Sequence, residues 1–154
     1  MTKRSILVVD DEPCIRLAFA KMFTTARYEV RTAESAEQAL QIMVTTPAAV
    51  LFLDLNLPAM NGLDLCREVR KGWPWSIAIA VTGYASLFEL VECREAGFED
   101  YFIKPVKSKE LLAAAEHAFQ KLERWKQRPG VLRRKADRSD DKQTGCRRNR
   151  RQTA

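Results

Sequence analysis

Five polar side chains in this chain stand at the ends of short apolar runs. They are Asp10, Asp11, Asp54, Thr82 and Lys104. Three carboxylates suit a hard divalent cation such as Mg²⁺, which prefers oxygen ligands. An ammonium can hold a phosphoryl oxygen as a point charge, and a hydroxyl can donate to another. Because the five residues are far apart in sequence, this metal and phosphoryl chemistry depends on a fold that brings them together.

The apolar runs ahead of these residues predict the strands of a parallel sheet. The runs cover residues 6–9, 49–53, 77–81 and 101–103. Continuous apolar runs of this length are typical of strands that are buried on both faces. Parallel strands have all their carboxyl ends at one edge, where open α/β sheets place their ligands. We therefore expect the five polar side chains to meet in one cleft at that edge.

The segments between the runs have the period and the end signals of helices. Pro13 suits a first helical turn, and Ser35 with Gln38 forms a capping-box pattern. Gly97 suits the C-terminal cap of a fourth helix, and a fifth helix should run from Ser108 to about Trp125. Strand and helix therefore alternate five times along the chain.

This alternation predicts an α/β fold with a doubly wound parallel sheet and five helices on its two faces. Residues 28–32 alternate between apolar and polar, which predicts a half-exposed edge strand. The first and third strands are apolar throughout, which places them inside the sheet. The expected order is 2-1-3-4-5, as in flavodoxin-like folds, with the ligand crevice between strands 1 and 3. In the fourth helix the apolar positions are Leu87, Leu90 and Val91.

Composition and cysteine spacing favour a cytoplasmic protein. The 154 residues are 46% apolar, which is ordinary for a globular domain, and we expect no membrane insertion. Asp10 ends the first apolar run too early for a signal peptide. The four cysteines have neither zinc-site nor disulfide spacing, so we expect reduced structural thiols. They are Cys14, Cys66, Cys93 and Cys146.

The charge distribution divides the chain into residues 1–127, with a net charge of −1, and residues 128–154, with a net charge of +7. The first segment is the predicted domain. The second follows no apolar pattern and is rich in arginine, so we expect a basic, disordered tail. Weak nonspecific contact with nucleic acid through phosphates is an alternative. The tail has no aromatic side chain for base stacking, and a solvated tail is the favoured interpretation.

Residues 4–122 resemble the receiver domain of two-component response regulators. Four segments carry the resemblance, in the family's order and at its intervals: residues 7–12, 53–62, 81–84 and 101–105, which read LVVDDE, LDLNLPAMNG, VTGY and YFIKP. The resemblance implies a signalling switch that accepts a phosphoryl group on Asp54 from a histidine kinase or phosphotransfer protein. It implies no enzyme activity beyond this acceptance and the later loss of the phosphoryl group to water.

The resemblance also implies a Mg²⁺ site. Asp11 and Asp54 would bind the ion directly, as would the backbone carbonyl of Asn56, and Asp10 would act through a water molecule.

A switch is implied in the same way. Thr82 and Tyr101 would be the switch pair, Lys104 would contact the phosphoryl group, and the peptide bond before Pro105 would be cis. The signal would reach a face made of helix 4, strand 5 and helix 5, with a downstream protein of unknown identity or a second copy of the chain as its partner. No output domain follows in the sequence, so we expect a stand-alone receiver.

Three rival functions fit this sequence less well than a phosphorylated receiver does. A haloacid-dehalogenase-like enzyme would need Asp-x-Asp on the first strand, whereas the chain has Asp10-Asp11-Glu12. A receiver that works without phosphorylation would not need the full set of site residues. A nucleotide-binding flavodoxin-like module would need a glycine-rich first loop. His117 as a phosphodonor and the Trp73–Trp75 segment as a protein contact are further, less favoured interpretations.

Overall fold

The computed structural model of the protein describes residues 4–83 and 86–127. Its centre is a parallel sheet of five strands, in the order β2-β1-β3-β4-β5. The strands are β1 Ser5–Val9, β2 Glu29–Ala33, β3 Val50–Leu53, β4 Ile77–Thr82 and β5 Asp100–Ile103. The predicted strand order is therefore confirmed.

A helix follows each strand, as the alternating pattern predicted. The helices are α1 Pro13–Thr25, α2 Ala36–Thr45, α3 Gly62–Gly72, α4 Leu87–Ala96 and α5 Ser108–Gln127. The ends of several helices form as expected. The Ser35 hydroxyl accepts a hydrogen bond from the Gln38 amide, and Gly97 ends α4 in the left-handed conformation at φ 104°. The capping box is half formed, because the Gln38 side chain accepts from the amide of Glu34 rather than from that of Ser35.

Alternate residues of the inner strands face opposite layers of the core. Leu7 and Leu51 belong to one hydrophobic cluster with buried side chains of α2, α3 and α4. On the other face Phe52 packs against Phe23 of α1, with ring centroids 4.9 Å apart. Because both faces are covered, β1, β3 and β4 must be apolar at nearly every position, which explains their unbroken apolar runs.

The expectation that the fourth apolar run is buried on both faces is wrong. Tyr101 and Ile103 of β5 are 42% and 49% exposed. Among the residues that the structure describes, β5 pairs with β4 alone and lies at the edge of the sheet, where fewer neighbouring side chains cover it.

The apolar positions of α4 are likewise more exposed than a core-facing stripe would be. Leu87 is 79% exposed and Val91 is 49% exposed, whereas Cys93 and Ala96 are buried. The buried side of the helix faces α3, where the Cys66 thiol donates a hydrogen bond to the carbonyl of Ala96 at 3.5 Å. Cys93 and Ala96 therefore make the core contact of α4, whereas Leu87 and Val91 face outward.

The three described cysteines are free thiols, of which Cys66 and Cys93 are buried. Burial raises the pKa of the Cys66 thiol to about 12, so this side chain stays protonated at neutral pH. None of the helices in residues 4–83 and 86–127 combines the length and apolar character that crossing a membrane requires.

By its internal contacts the chain divides into two units, Met1–Phe119 and Gln120–Ala154. The boundary falls within α5. The predicted boundary after residue 127 and the predicted disorder of residues 128–154 concern a segment outside the described residues, and both stay predictions.

Candidate functional site

The candidate site lies at the carboxyl edge of the sheet, where backbone hydrogen bonds fix the residues at the ends of four neighbouring strands, β1, β3, β4 and β5. The Asp54 amide donates to the carbonyl of Val9 at 2.9 Å, and the Lys104 amide donates to the carbonyl of Thr82 at 2.7 Å. These bonds continue the parallel pairing past the last strand residues. Asp10 and Asp54 are consequently neighbours across β1 and β3, as the chain order predicted.

The ammonium of Lys104 joins the two aspartates. Its Nζ lies 2.7 Å from Oδ2 of Asp10 and 3.3 Å from Oδ2 of Asp54. A third carboxylate, that of Glu12, lies 4.0 Å from the same nitrogen. The side chains of Asp10 and Asp54 are only 4% and 6% exposed, whereas that of Lys104 is 16% exposed. One cation therefore neutralises two nearly buried anions at a point that water still reaches.

This environment shifts the pKa values of Asp54 and Lys104. Burial raises the pKa of the Asp54 carboxyl above its ordinary value. The hydrogen bond from the Asn56 backbone amide and the positive charge of Lys104 offset only part of that rise. Burial alone would lower the pKa of Lys104, but its hydrogen bond to Asp10 and the charges of both aspartates raise it overall. Lys104 is therefore fully charged at neutral pH, and the ionised form of Asp54 is held at a cost.

The turn between β1 and α1 forms an acidic cluster. Asp10, Asp11 and Glu12 can each turn a carboxylate oxygen toward a common point, since these atoms lie within 4.8 Å of one another. The cluster is closed by a hydrogen bond from the Glu12 amide to Oδ1 of Asp10 at 2.9 Å. Hard, anionic oxygen donors of this kind fit Mg²⁺. Glu12 was not predicted as a ligand from the sequence, although its position directly after two aspartates was a usable signal.

The loop between β3 and α3 holds Asp54 from its other side. Oδ1 of Asp54 accepts a hydrogen bond from the Asn56 amide at 3.1 Å. The loop then returns to its start, because the Gly62 amide donates to the carbonyl of Leu55 at 3.0 Å. A Cβ at position 62 would collide with the backbone carbonyl of Asp54. Glycine is therefore required there by the close approach of two backbone segments.

The predicted switch residues occupy neighbouring strands with opposite exposure. Thr82 ends β4 and is fully buried, whereas Tyr101 of β5 is 42% exposed. In the strand register Thr82 pairs with Ile103, so Tyr101 lies two residues earlier along β5. The Lys104–Pro105 peptide bond, which follows β5 directly, is cis. The structure thus places Thr82 beside the Lys104 backbone and turns Tyr101 toward the surface.

A flavodoxin-like parallel sheet with paired aspartates and a lysine at its carboxyl edge is the arrangement of a receiver. A family model described as the response regulator receiver domain matches residues 6–116. The chain therefore belongs to the response regulator receiver family, whose members are signalling domains of two-component systems. The resemblance drawn from the sequence is confirmed.

Relatives with known names agree with this assignment. The alginate biosynthesis transcriptional regulatory protein AlgB of Pseudomonas aeruginosa is 36% identical over 110 residues, which cover 71% of this chain and 24% of that protein. The probable transcriptional regulator ycf27 of Porphyra purpurea is 33% identical over 129 residues, covering 84% of this chain and 53% of that protein. This chain thus spans between about a quarter and about half of the length of these relatives.

Among solved structures, a CheY-like receiver domain protein from Methanospirillum hungatei JF-1 superposes with a TM-score of 0.78. It is 31% identical in sequence, and the match covers 80% of this chain and 98% of that one. The similarity extends through the sheet and its helices, so the architecture described above is that of the family.

Proposed function

We propose that this protein is a phosphorylation-dependent switch in which Asp54 accepts a phosphoryl group from a histidine kinase or a phosphotransfer protein. The observation that carries the proposal is the contact of Lys104 with both Asp10 and Asp54, at 2.7 and 3.3 Å. Three strands must end together to make this contact, and the site it forms is accessible to water. The proposal includes the cytoplasmic location expected from the sequence.

The chemistry assigned to the chain's own residues is simple. A carboxylate oxygen of Asp54 forms the new O–P bond while the P–N bond of a donor phosphohistidine breaks and the imidazole leaves. Lys104 holds a phosphoryl oxygen and limits the build-up of negative charge. Water would later cleave the acyl phosphate, so the switch resets itself.

The acidic cluster of Asp10, Asp11 and Glu12 is where a Mg²⁺ ion would be held. Asp54 and the backbone carbonyl of Asn56 complete the proposed ligand set, and Asp10 would act through water. When bound, the ion supplies charge neutralisation at the phosphoryl oxygens. The three carboxylates of the turn fit such an ion by their chemistry and by their mutual approach within 4.8 Å.

The proposed output surface is the one formed by the exposed apolar residues of α4 and β5. We define it as the α4–β5 surface; its members are Leu87, Val91, Tyr101 and Ile103. The Thr82 hydroxyl would move toward the phosphoryl group, and Tyr101 would turn inward into the space released. This motion would change the α4–β5 surface, together with the first turns of α5, and so alter binding of a downstream protein or a second copy of the chain.

Acetyl phosphate tests the acceptor without a partner kinase. Incubation of the wild-type protein with acetyl phosphate and Mg²⁺ should add one phosphoryl group, detected by intact mass. Asp54→Asn should abolish the addition, and Asp64→Asn is a matched control because Asp64 is an exposed carboxylate of α3 paired with Arg67. Undiminished labelling of Asp54→Asn, or loss of labelling in the control alone, would contradict the assignment.

A further inference from the structure

Arg16 contacts the acidic turn from the second turn of α1. Its Nη1 donates a hydrogen bond to the backbone carbonyl of Asp10 at 2.8 Å. Its Nη2 lies 4.0 Å from a carboxylate oxygen of Glu34, which follows β2. The Arg16 side chain is 18% exposed, whereas that of Glu34 is 69% exposed. The guanidinium therefore contacts the turn on its buried side and the exposed carboxylate of Glu34 on its outer side.

The carbonyl that Arg16 holds belongs to the peptide between the two aspartates. Fixing that carbonyl fixes the peptide plane, and with it the direction in which Asp11 leaves the chain. Arg16 also donates its backbone amide to the carbonyl of Glu12 at 3.1 Å. Glu12 in turn donates to Oδ1 of Asp10 at 2.9 Å. One residue thus fixes the turn at two points without contributing a ligand of its own.

We propose that Arg16 is a positioning residue for the acidic turn, and that its hydrogen bond to the Asp10 carbonyl sets the affinity of the turn for a divalent cation. The inference rests on the proposed Mg²⁺ site. Groups that orient ligands from outside the coordination sphere commonly change metal affinity by about 10- to 100-fold. A single bond to a backbone carbonyl that water can replace belongs at the low end, so we expect about a tenfold effect.

Loss of the Arg16 charge and loss of its contact with the Asp10 carbonyl should change the affinity for Mg²⁺ in opposite directions, which makes the inference testable. A guanidinium near a cation site repels the cation, so removal of its charge alone should strengthen Mg²⁺ binding. Loss of the carbonyl contact should instead let the turn sample other orientations and weaken binding. The direction of the change in the dissociation constant therefore separates the two roles.

The experiment is a Mg²⁺ titration of the full chain. Binding is measured by calorimetry and by the NMR chemical shifts of the Asp11 and Glu12 backbone amides. Arg16→Met should bind Mg²⁺ about tenfold more weakly than wild type. Arg16→Lys should fall between the two, because its ammonium keeps one donor but lacks the planar fork. Arg31→Met is the control: it removes the same charge from an exposed pair with Glu29 and should leave the affinity unchanged.

A second readout excludes a general loss of structure. The acetyl phosphate labelling rate of Arg16→Met should return to the wild-type rate at saturating Mg²⁺, while the Mg²⁺ concentration for half-maximal rate rises with the dissociation constant. If Arg16→Met does not fold, Arg16→Gln replaces it, because its shorter amide keeps the polarity of the side chain.

Equal or tighter Mg²⁺ binding by Arg16→Met, or an Arg16→Lys variant as weak as Arg16→Met, would overturn the inference. A lowered labelling rate that saturating Mg²⁺ does not restore would overturn it as well. Failure of the proposed function looks different, since wild-type protein would then bind no Mg²⁺ and accept no phosphoryl group.

Discussion

Replacement of Lys104 by methionine should destabilise the protein strongly when divalent cations are removed. The substitution keeps most of the apolar stem and deletes the ammonium that contacts Asp10 at 2.7 Å and Asp54 at 3.3 Å. Two carboxylates that are only 4% and 6% exposed would then lack this cation. The direct consequence is uncompensated negative charge at the carboxyl edge of the sheet.

The size of the effect follows from the burial of the partners. Removal of one member of a buried ion pair costs about 3–5 kcal/mol. The Lys104 side chain is 16% exposed, so solvent screens part of the interaction and the lower figure of about 2–3 kcal/mol applies. For a domain of this size, about 4 °C per kcal/mol gives a fall in melting temperature of roughly 10 °C.

The destabilisation caused by Lys104→Met should depend on pH and on Mg²⁺, because it arises from the charges of Lys104 and the two aspartates. The pairing raises the pKa of Lys104, so its stabilising effect is present below the unfolded-state value near 10.4 and is lost as pH rises through the folded-state value. At the acid end the penalty of Lys104→Met should shrink, because burial raises the pKa of Asp54 and this carboxylate loses its charge as pH falls. Mg²⁺ should reduce the difference in melting temperature between wild type and Lys104→Met at pH 7, because a bound divalent cation supplies the missing positive charge.

Thermal melting followed by circular dichroism, in EDTA and in Mg²⁺, measures all three effects. The control is Lys71→Met, whose ammonium lies 3.6 Å from Glu68 with 75% of the side chain exposed and should therefore contribute under about 0.5 kcal/mol. Equal melting of Lys104→Met and wild type in EDTA would refute the argument. A gap that Mg²⁺ leaves unchanged would refute its electrostatic part.

Three further substitutions test other parts of the site. Asp54→Asn should have a higher melting temperature than wild type in EDTA at pH 7, because burial raises the pKa of Asp54 and its ionised form destabilises the folded state. This increase in melting temperature should diminish as pH falls toward 4. A lower melting temperature than wild type at pH 7 would contradict the prediction. Thr82→Ala should accept a phosphoryl group but give smaller NMR shift changes at Tyr101 than wild type, and equal changes would argue against coupling through the buried hydroxyl. Ala59→Gly should raise the free energy of unfolding by about 0.5 kcal/mol in a denaturant titration, because alanine at φ 63° is strained and glycine is not. The greater conformational entropy of glycine in the unfolded chain offsets part of this stabilisation. A lower denaturation midpoint would show that the loop is not strained there.

The sheet was predictable because its interior strands have a composition that no other element shares. Val8 and Phe52 face one layer of helices, while Leu7 and Leu51 face the other, so every position had to be apolar. An edge strand does not follow this rule. Apolar residues in β5 indicated burial, yet Ile103 is 49% exposed because only one side of the strand is paired.

Helix α4 shows the same limit from the opposite direction. The sequence shows large apolar residues such as Leu87 in this helix, whereas the buried contact is made by Cys93 and Ala96. A sequence records which residues are apolar but does not record which surface is left for a partner. The departures in β5 and α4 coincide on the α4–β5 surface, which is where the proposed output lies.

Within the site, strand ends were predictable and lateral contacts were not. Asp10, Asp54 and Lys104 each follow a strand, so their meeting required only a parallel sheet. The contact of Arg16 with the Asp10 carbonyl depends on the angle at which α1 leaves β1, and no spacing rule reports that angle. Nor could the collision that requires glycine at position 62 be derived without the path of the β3–α3 loop.

The most direct test of the central claim is to locate the phosphoryl group on the chain. After labelling with acetyl phosphate and Mg²⁺, reduction with borohydride converts an acyl-phosphorylated aspartate to homoserine, which peptide mass spectrometry identifies by position. The account predicts homoserine at position 54 and at no other carboxylate of the site. Homoserine at position 10 or 11 instead, or a phosphorylated protein that yields none, would contradict it.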